Sequence, residues 1–563
     1  MRRYLGHLIR SAERRVEHFL NAQVLDRSRE DFGAMRGDVI EGKPTIYALA
    51  AAVSVYCNRD SRYYHDKELL EAMNLAMDFI GRWQRDNGAL DYPTCNFNSA
   101  ADTARFTLER LIAAYRVLEL YEPAGADKQV ETLREKYRFV MRRSLEMIRT
   151  GGFHTPNHRW GITAALMQGA GLFPDLAPEL MARAGQYLAE GIDGSADGEY
   201  AERSTGNYNA VVNNAMMAMY EESGDPDYLG YVARNLHMML TYIDPDGTIF
   251  TQNSTRQDQG KADYPDKYFY QYLFMASLPE EKLGEYGKYR EEFDAAAHRI
   301  IRDNQERGDL APDCLHIVMA HKAMYEHVFA GCGFPDTYRK YFRDAGVLRV
   351  KNERYGYSVL SGKSAFLYIK FGELPLFVKI GESVGSCRNF IPETMEVEEG
   401  KCTLKSTVYT SYYQPFGEFQ GTNDWWKMDH ASREILNNAR LDIQVEIAEA
   451  ADGLSLRIKA EGLSRVPLRV QVCAPKDAVL EHDCFHLRTD AGGWMILKSG
   501  MAKLRLGDRT VEFGPGFGTH EFGGHYSGEE VFASGYTVYL NEYTPFEKTV
   551  DIRLVAAGNR DLQ

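Results

Sequence analysis

Long apolar runs are missing from this 563-residue chain. No stretch approaches the roughly 20 residues that span a bilayer as a helix. The first ten residues hold no apolar core of signal-peptide length, and charge returns at Arg10, Glu13, Arg14 and Arg15. Paired cysteines are missing too. The eight, at positions 57, 95, 314, 332, 387, 402, 473 and 484, include no CxxC pair, which reads as reduced structural thiols in a cytoplasmic protein. Basic charge is in deficit: 66 Lys and Arg face 80 Asp and Glu, a formal net charge of −14. That balance argues against nucleic acid and against an anionic membrane as partners. It leaves an acidic substrate open, because a few local arginines hold a carboxylate. No tight His/Cys/Asp ligand motif appears, so no metal or cofactor is called for, although a structural metal stays open. Nothing in the sequence fixes the oligomeric state.

Hydrophobic residues make up 44% and charged residues 26%, an ordinary globular balance, and the length predicts two large domains. Residues 1–340 read as a dozen amphipathic helices, near 3–22, 44–57, 67–85, 100–121, 126–149, 158–171, 176–191, 208–222, 227–242, 264–277, 281–303 and 312–329. Loops carry the expected breakers, such as Asp244-Pro245-Asp246-Gly247. Six antiparallel hairpins close into an (α/α) toroid or stack as an open solenoid. From Tyr355 the period changes to two. Runs such as 364–371, 441–447, 454–458, 468–472, 502–506, 510–513, 535–541 and 549–555 predict a C-terminal antiparallel β-sandwich over 345–563. The link from Phe334-Pro335-Asp336 to Val350 is short.

Polar chemistry gathers in four segments of the helical half, each a loop leading toward a helix. They are Asn96 to Arg105, Thr155-Pro156-Asn157-His158-Arg159-Trp160, Asp197 to Asn209, and Thr251 to Asp258. Alternate helix starts of a toroid lie on one rim, so these segments can face one cavity. The second offers Asn157, His158 and an indole at Trp160. The third offers Tyr200, Glu202, Arg203, Asn207 and Tyr208, and the fourth Arg256 and Gln257. Each segment also has a plain reading as a helix cap, and for Asp102 and Arg105 a capping or ion-pair role is the simpler one. In the second half Tyr412, Tyr413, Trp425, Trp426 and His430 cluster where the strand pattern is weak, as a loop or as a core patch.

At Asn157-His158 and at the Asp197-Gly198 to Tyr208 segment the chain resembles the heparinase II/III-like and oligoalginate lyase-like polysaccharide lyases. The resemblance implies an α/α toroid followed by a β-sandwich. It also implies β-elimination on a uronic-acid glycan with no metal required. In that reading His158 and Tyr208 are the base and acid, with Tyr200 as the alternative phenol. Asn157 with Arg203 or Arg256 holds the carboxylate. Glu202, Gln257, Trp160, Asn207 and, from the sandwich, His430, Tyr413 and Trp426 contact substrate. One departure is Asn209, where related sequences often have histidine after the tyrosine. A cytoplasmic location implies small imported oligosaccharides as substrate.

Two other readings share these residues. A glycoside hydrolase on the same toroid needs two carboxylates across the sugar, for which Glu202, Asp258, Asp197 and Asp102 are present. A non-catalytic carbohydrate-binding protein needs only the cleft.

Overall fold

The computed structural model describes residues 1–563 except 126, 245, 331–333, 336, 519–527 and 556–563. Pro245, Cys332 and Asp336 thus lie outside the described residues. The chain divides into two units, one of Met1–Ile243 with Thr248–Pro335, the other of Asp244–Gly247 with Asp336–Gln563.

In the first unit, outer and inner helices alternate along the chain. Outer helices are amphipathic. Arg2–Ala22 buries Tyr4, Leu5, Leu8, Ile9, Ala12, Val16 and Phe19 and turns its charges outward, the stripe of a helix packed on one side. Inner helices are apolar nearly all round because they are covered on several sides. Lys43–Cys57 has no charged residue after Lys43 and is buried almost without interruption. Pro156–Leu172 and Tyr208–Ser223 follow the same pattern. The ends of the unit meet. Tyr4 Oη bonds His298 Nε2 at 3.0 Å, His7 Nε2 bonds Asn304 Oδ1 at 2.8 Å, and Ala311 N–H donates to Ser11 Oγ at 2.9 Å. These bonds join the first hairpin to the sixth, so the six hairpins form an α/α ring rather than an open stack.

Four helices depart from their predicted form. The stretch 264–277 opens as the 3-10 turn Pro265–Tyr268 before Phe269–Ser277, and 281–303 is divided into Glu280–Leu283, the 3-10 segment Gly284–Tyr289 and the helix Arg290–Arg307. The stretch 100–121 contains a π-helical turn, Thr103–Leu108, before the regular helix Glu109–Tyr121. The stretch 312–329 holds only the short helices Leu315–Ala320 and Lys322–Tyr325.

The second unit is two nine-stranded sheets, antiparallel except where Trp494–Ile496 runs parallel to Gly535–Tyr543. Alternation is the cause. In Ile435–Ala450 the residues Leu441, Ile443, Val445 and Ile447 point inward and Asp442, Gln444 and Glu446 outward. Both sheets feed one hydrophobic core, with Val378, Ile380, Val470 and Val472 from one and Leu404, Val445, Leu456 and Val550 from the other. Strands begin earlier than the alternating pattern shows: Tyr338–Phe342 and Val347–Lys351 precede Tyr355. The predicted boundary at 340/345 therefore falls inside the sheets, and the units divide after Pro335.

The Asp197-Gly198 turn has a definite steric demand. Gly198 sits at φ +92°, and a Cβ there would lie 2.3 Å from the carbonyl oxygen of Arg234. Asn235 Nδ2 donates to the Gly198 carbonyl at 2.7 Å, which fixes the approach. Gly198→Ala is expected to destabilise the helical unit by roughly 1–3 kcal/mol, the scale of backbone strain. Scanning calorimetry would show this as a lowered transition; an unchanged midpoint would mean the turn relaxes freely.

Candidate active site

The four polar segments converge on one cleft of about 810 Å³ in the helical unit. Asp102 and Arg105 come from the first, His154 and His158 from around the second, Asn207 and Tyr208 from the third, Arg256 and Gln257 from the fourth.

A chain of polar contacts ties the segments to one another. Arg105 Nη1 donates to Asn157 Oδ1 at 3.4 Å. The Asn157 amide donates to Glu202 Oε2, and the other Glu202 oxygen pairs with Arg256 Nε at 3.1 Å. Each of the four residues belongs to a different segment. Both end guanidiniums stand over Tyr208, their Cζ atoms 5.1 and 5.3 Å from the ring centroid. The Tyr208 hydroxyl accepts from Gln257 Nε2 at 2.8 Å. That bond uses a lone pair and leaves the phenolic hydrogen available for donation.

Local structure explains these placements. Tyr208 opens the helix Tyr208–Ser223, where Ser204 Oγ accepts from its backbone N–H at 3.0 Å. Asn207 holds the N-cap position without a side-chain bond, and the Ser204 hydroxyl serves the first N–H in its place. Asp258 ties the third segment to the fourth: it accepts from Ser204 Oγ at 2.9 Å, Ser254 Oγ at 2.6 Å and the Gly206 N–H at 3.0 Å. Arg105 sits on the π-helical turn, a feature common at functional sites, and is 8% exposed.

His158 is buried in the first turn of Pro156–Leu172. Burial pushes its imidazole down to about 4, helped by His154, Arg105 and Arg256. It is therefore neutral at pH 7, and its Nδ1 has no hydrogen-bond partner among the described residues. The His154 ring stands edge-on to it at 4.6 Å. Five carboxyl side chains line the cleft, those of Asp102, Glu109, Asp263, Asp266 and Asp313, and burial raises Asp102 and Glu109.

No family model matches the chain, and no curated protein matches it. Solved structures do. A xanthan lyase from Paenibacillus aligns with TM-score 0.59 and 8% identity over 98% of this chain and 57% of that one. A chondroitin AC lyase mutant from Streptomyces coelicolor A3 aligns at 0.54 and 10% over 98% and 79%. Heparinase III aligns at 0.52 and 11% over 97% and 85%. The chain has the heparinase-like polysaccharide lyase fold. It spans 57% of the length of the xanthan lyase, so the likeness to these lyases is one of fold.

On this lyase fold several residues expected at the site stand elsewhere. Tyr200 is buried and donates to Asn213 Oδ1 at 2.9 Å, away from the cleft lining. Trp160 is fully buried and its indole N–H donates to Asp193 Oδ1 at 2.5 Å, so it offers no face to a sugar. Arg203 is not part of the lining; its φ of +50° turns the chain from Tyr200 toward Ser204. Asn157 and Glu202 lie behind the lining and act on Arg105 and Arg256. Asn209, in place of the histidine, is buried and donates to Glu199 Oε1 at 2.8 Å; burial lifts Glu199 to about 7.

Tyr413, Trp426 and His430 all belong to the sheet unit: Tyr413 ends the strand Lys401–Tyr413, and Trp426 and His430 lie in the excursion between it and Ile435–Ala450. They do not form a core patch, since Trp426 is 89% exposed. Both His430 nitrogens are engaged locally: Nε2 donates to Trp425 O at 2.7 Å and Nδ1 accepts from Arg433 Nε at 3.1 Å. Sequence reasoning missed Lys43 and His154, and it read Arg105 as structural. Arg105 at least stood in a quoted polar segment, whereas Lys43 gave no signal. Among the described residues no group of three or more His, Cys, Asp or Glu could hold a metal ion, and no helix is long and apolar enough to cross a membrane.

The burial of neutral His158 links stability to pH. Its folded pKa lies below the usual histidine value near 6.5, so between about 6.5 and 4 the unfolded chain takes up a proton that the folded one refuses. This contribution is complete above pH 6.5 and is lost as pH falls toward 4. The stability difference between wild type and His158→Asn is expected to shrink over that range in thermal melts. A constant gap would place the titration near the ordinary value.

Proposed function

We propose that the protein is a polysaccharide lyase that cleaves a uronic-acid-containing oligosaccharide by β-elimination. The observation that carries this reading is the grouping of neutral His158, the Tyr208 hydroxyl and the Arg105 guanidinium at one cleft on a lyase fold.

The C5 hydrogen of a uronate is weakly acidic, and its removal places charge on the carboxylate as an enolate-like intermediate. Arg105 is the group we assign to that carboxylate. Of the two arginines expected from sequence, Arg203 is not part of the cleft lining and Arg256 is already paired with Glu202. His158, free of a proton at neutral pH, takes the C5 hydrogen. The C5–H electron pair becomes the C4–C5 double bond, the C4–O bond breaks, and Tyr208 donates its proton to the departing oxygen. Gln257 and the two guanidiniums then stabilise the phenolate that remains. The proposal includes a cytoplasmic location and a role in glycan contact for the exposed Tyr413 and Trp426.

The hydrolase reading is weaker because Glu202 and Asp258 are held by internal partners, leaving Asp102 as the one sequence-predicted carboxylate at the cleft. The product separates the readings. A lyase forms an ultraviolet-absorbing unsaturated uronide and a hydrolase a saturated end. A binding protein forms neither.

His158→Ala and Tyr208→Phe are each expected to lower the rate of absorbance increase on an acidic oligosaccharide by at least about a hundredfold, the scale of a lost proton-transfer group. Near-normal rates in both folded variants would remove the assignment. Arg105→Ala is expected to weaken binding of an acidic oligosaccharide about 10- to 100-fold, as a lost charge-assisted hydrogen bond does. Calorimetry should show no such loss for the carboxyl-reduced analogue; equal losses on both would make Arg105 structural.

A further inference from the structure

The cations of the cleft fall into two groups. Arg110, Arg256 and Lys267 each have a carboxylate: Asp313 at 3.3 Å, Glu202 at 3.1 Å and Asp263 at 2.9 Å. Lys43 and Arg105 have none within ion-pairing distance among the described residues. What holds them is neutral. The Lys43 ammonium lies 4.6 Å from the Phe106 ring centroid, 4.8 Å from that of Tyr92 and 5.7 Å from that of Tyr47. The Arg105 guanidinium rests on Phe106 at 4.4 Å and Tyr208 at 5.1 Å, with the Asn157 amide oxygen as its polar partner. Aromatic faces attract a cation without cancelling its charge, so both remain available to an anion. The two also share one ring, Phe106, and repel each other across it.

A solvated-lysine explanation fits Lys43 poorly. It opens the helix Lys43–Cys57, whose N-cap Gly42 provides no side-chain cap. A cation is disfavoured at that positive end. Burial further lowers its pKa, partly offset by Glu41 and more weakly by Asp102, with Arg105 acting in the same direction as burial. An arriving anion relieves all of these costs. Asp102 faces the same cleft, but it forms no ion pair with Lys43 and burial favours its neutral form.

Building on the elimination reading, in which Arg105 takes the carboxylate of the cleaved uronate, we infer that Lys43 and its aromatic cage form a second anion subsite. Its ligand is a carboxylate or sulfate on another sugar of the same chain. The substrate class is thus an oligosaccharide carrying at least two anionic groups, and Lys43 sets the preference for it.

The test uses the full chain carrying Tyr208→Phe, so that ligand is bound without being consumed, with and without Lys43→Gln. The probes are a triuronate, the same triuronate with the carboxyls outside the cleaved unit reduced, and a sulfated uronate–hexosamine tetrasaccharide with its desulfated form. Calorimetry is expected to show an approximately tenfold or greater loss from Lys43→Gln for at least one multiply charged probe and little for its partner lacking the second charge. Lys43→Arg should largely restore the affinity. The series that shows the loss identifies carboxylate or sulfate. Equal losses on charged and discharged partners, no loss on any probe, or no charge-dependent binding by the protein retaining Lys43 would each overturn the inference. The elimination reading fails separately: if wild-type protein yields no unsaturated product while Lys43-dependent binding persists, the subsite stands and the reaction does not.

Discussion

The cleft depends on one buried carboxylate. Glu202 accepts from the Asn157 amide on one oxygen and is ion-paired with the Arg256 guanidinium through the other, and Asn157 in turn accepts from Arg105. Four segments far apart in sequence are thereby held in one arrangement. Burying a carboxylate is costly unless its charge is paired and its oxygens find donors. Here the amide that bonds it and the guanidinium that offsets its charge are the residues that must be positioned, so the geometry of the site and the tolerability of the charge have the same origin. Tyr208 sits inside this frame with a guanidinium over its ring from each end.

Charge is distributed along that frame unequally. Arg256 gives its charge to Glu202, whereas Arg105 meets only an amide and two aromatic rings. The same distinction separates Lys43 from Lys267. An acidic protein can therefore present a site for an acidic ligand, because what matters locally is which cations lack a carboxylate rather than the total of −14.

The fold was legible in the sequence because periodicity records burial. The 3.6 period of Arg2–Ala22 and the 2.0 period of Ile435–Ala450 each report a single covered face. The four polar segments were legible for a related reason: uncommon clusters of amide, imidazole and carboxylate at helix starts have no place in an apolar ring interior. Direction was not legible. Tyr200 and Tyr208 differ in sequence only by position, yet a positive φ at Arg203 between them sends one to the core and the other to the cleft. Trp160 looked exposed beside charged neighbours, but Asp193, more than thirty residues away, satisfies its indole inside the unit. Lys43 was invisible because its cage is assembled from Tyr47, Tyr92 and Phe106, two of them far away in sequence.

The π-helical turn at Thr103–Leu108 gives the inner helix an extra residue in one turn. Successive residues of an α-helix differ in direction by about 100°, so the turn offsets the faces of everything before it relative to everything after it. Asp102 and Arg105 can consequently look into the same cleft as Glu109 and Arg110 while Leu111, Ile112 and Leu118 keep their places in the packing. Loss of a single residue there would leave a more regular helix with its apolar stripe intact and the guanidinium facing another way. The position is one where foldability and chemistry are subject to opposite pressures, and insertion or deletion, rather than substitution, is the change that would separate them.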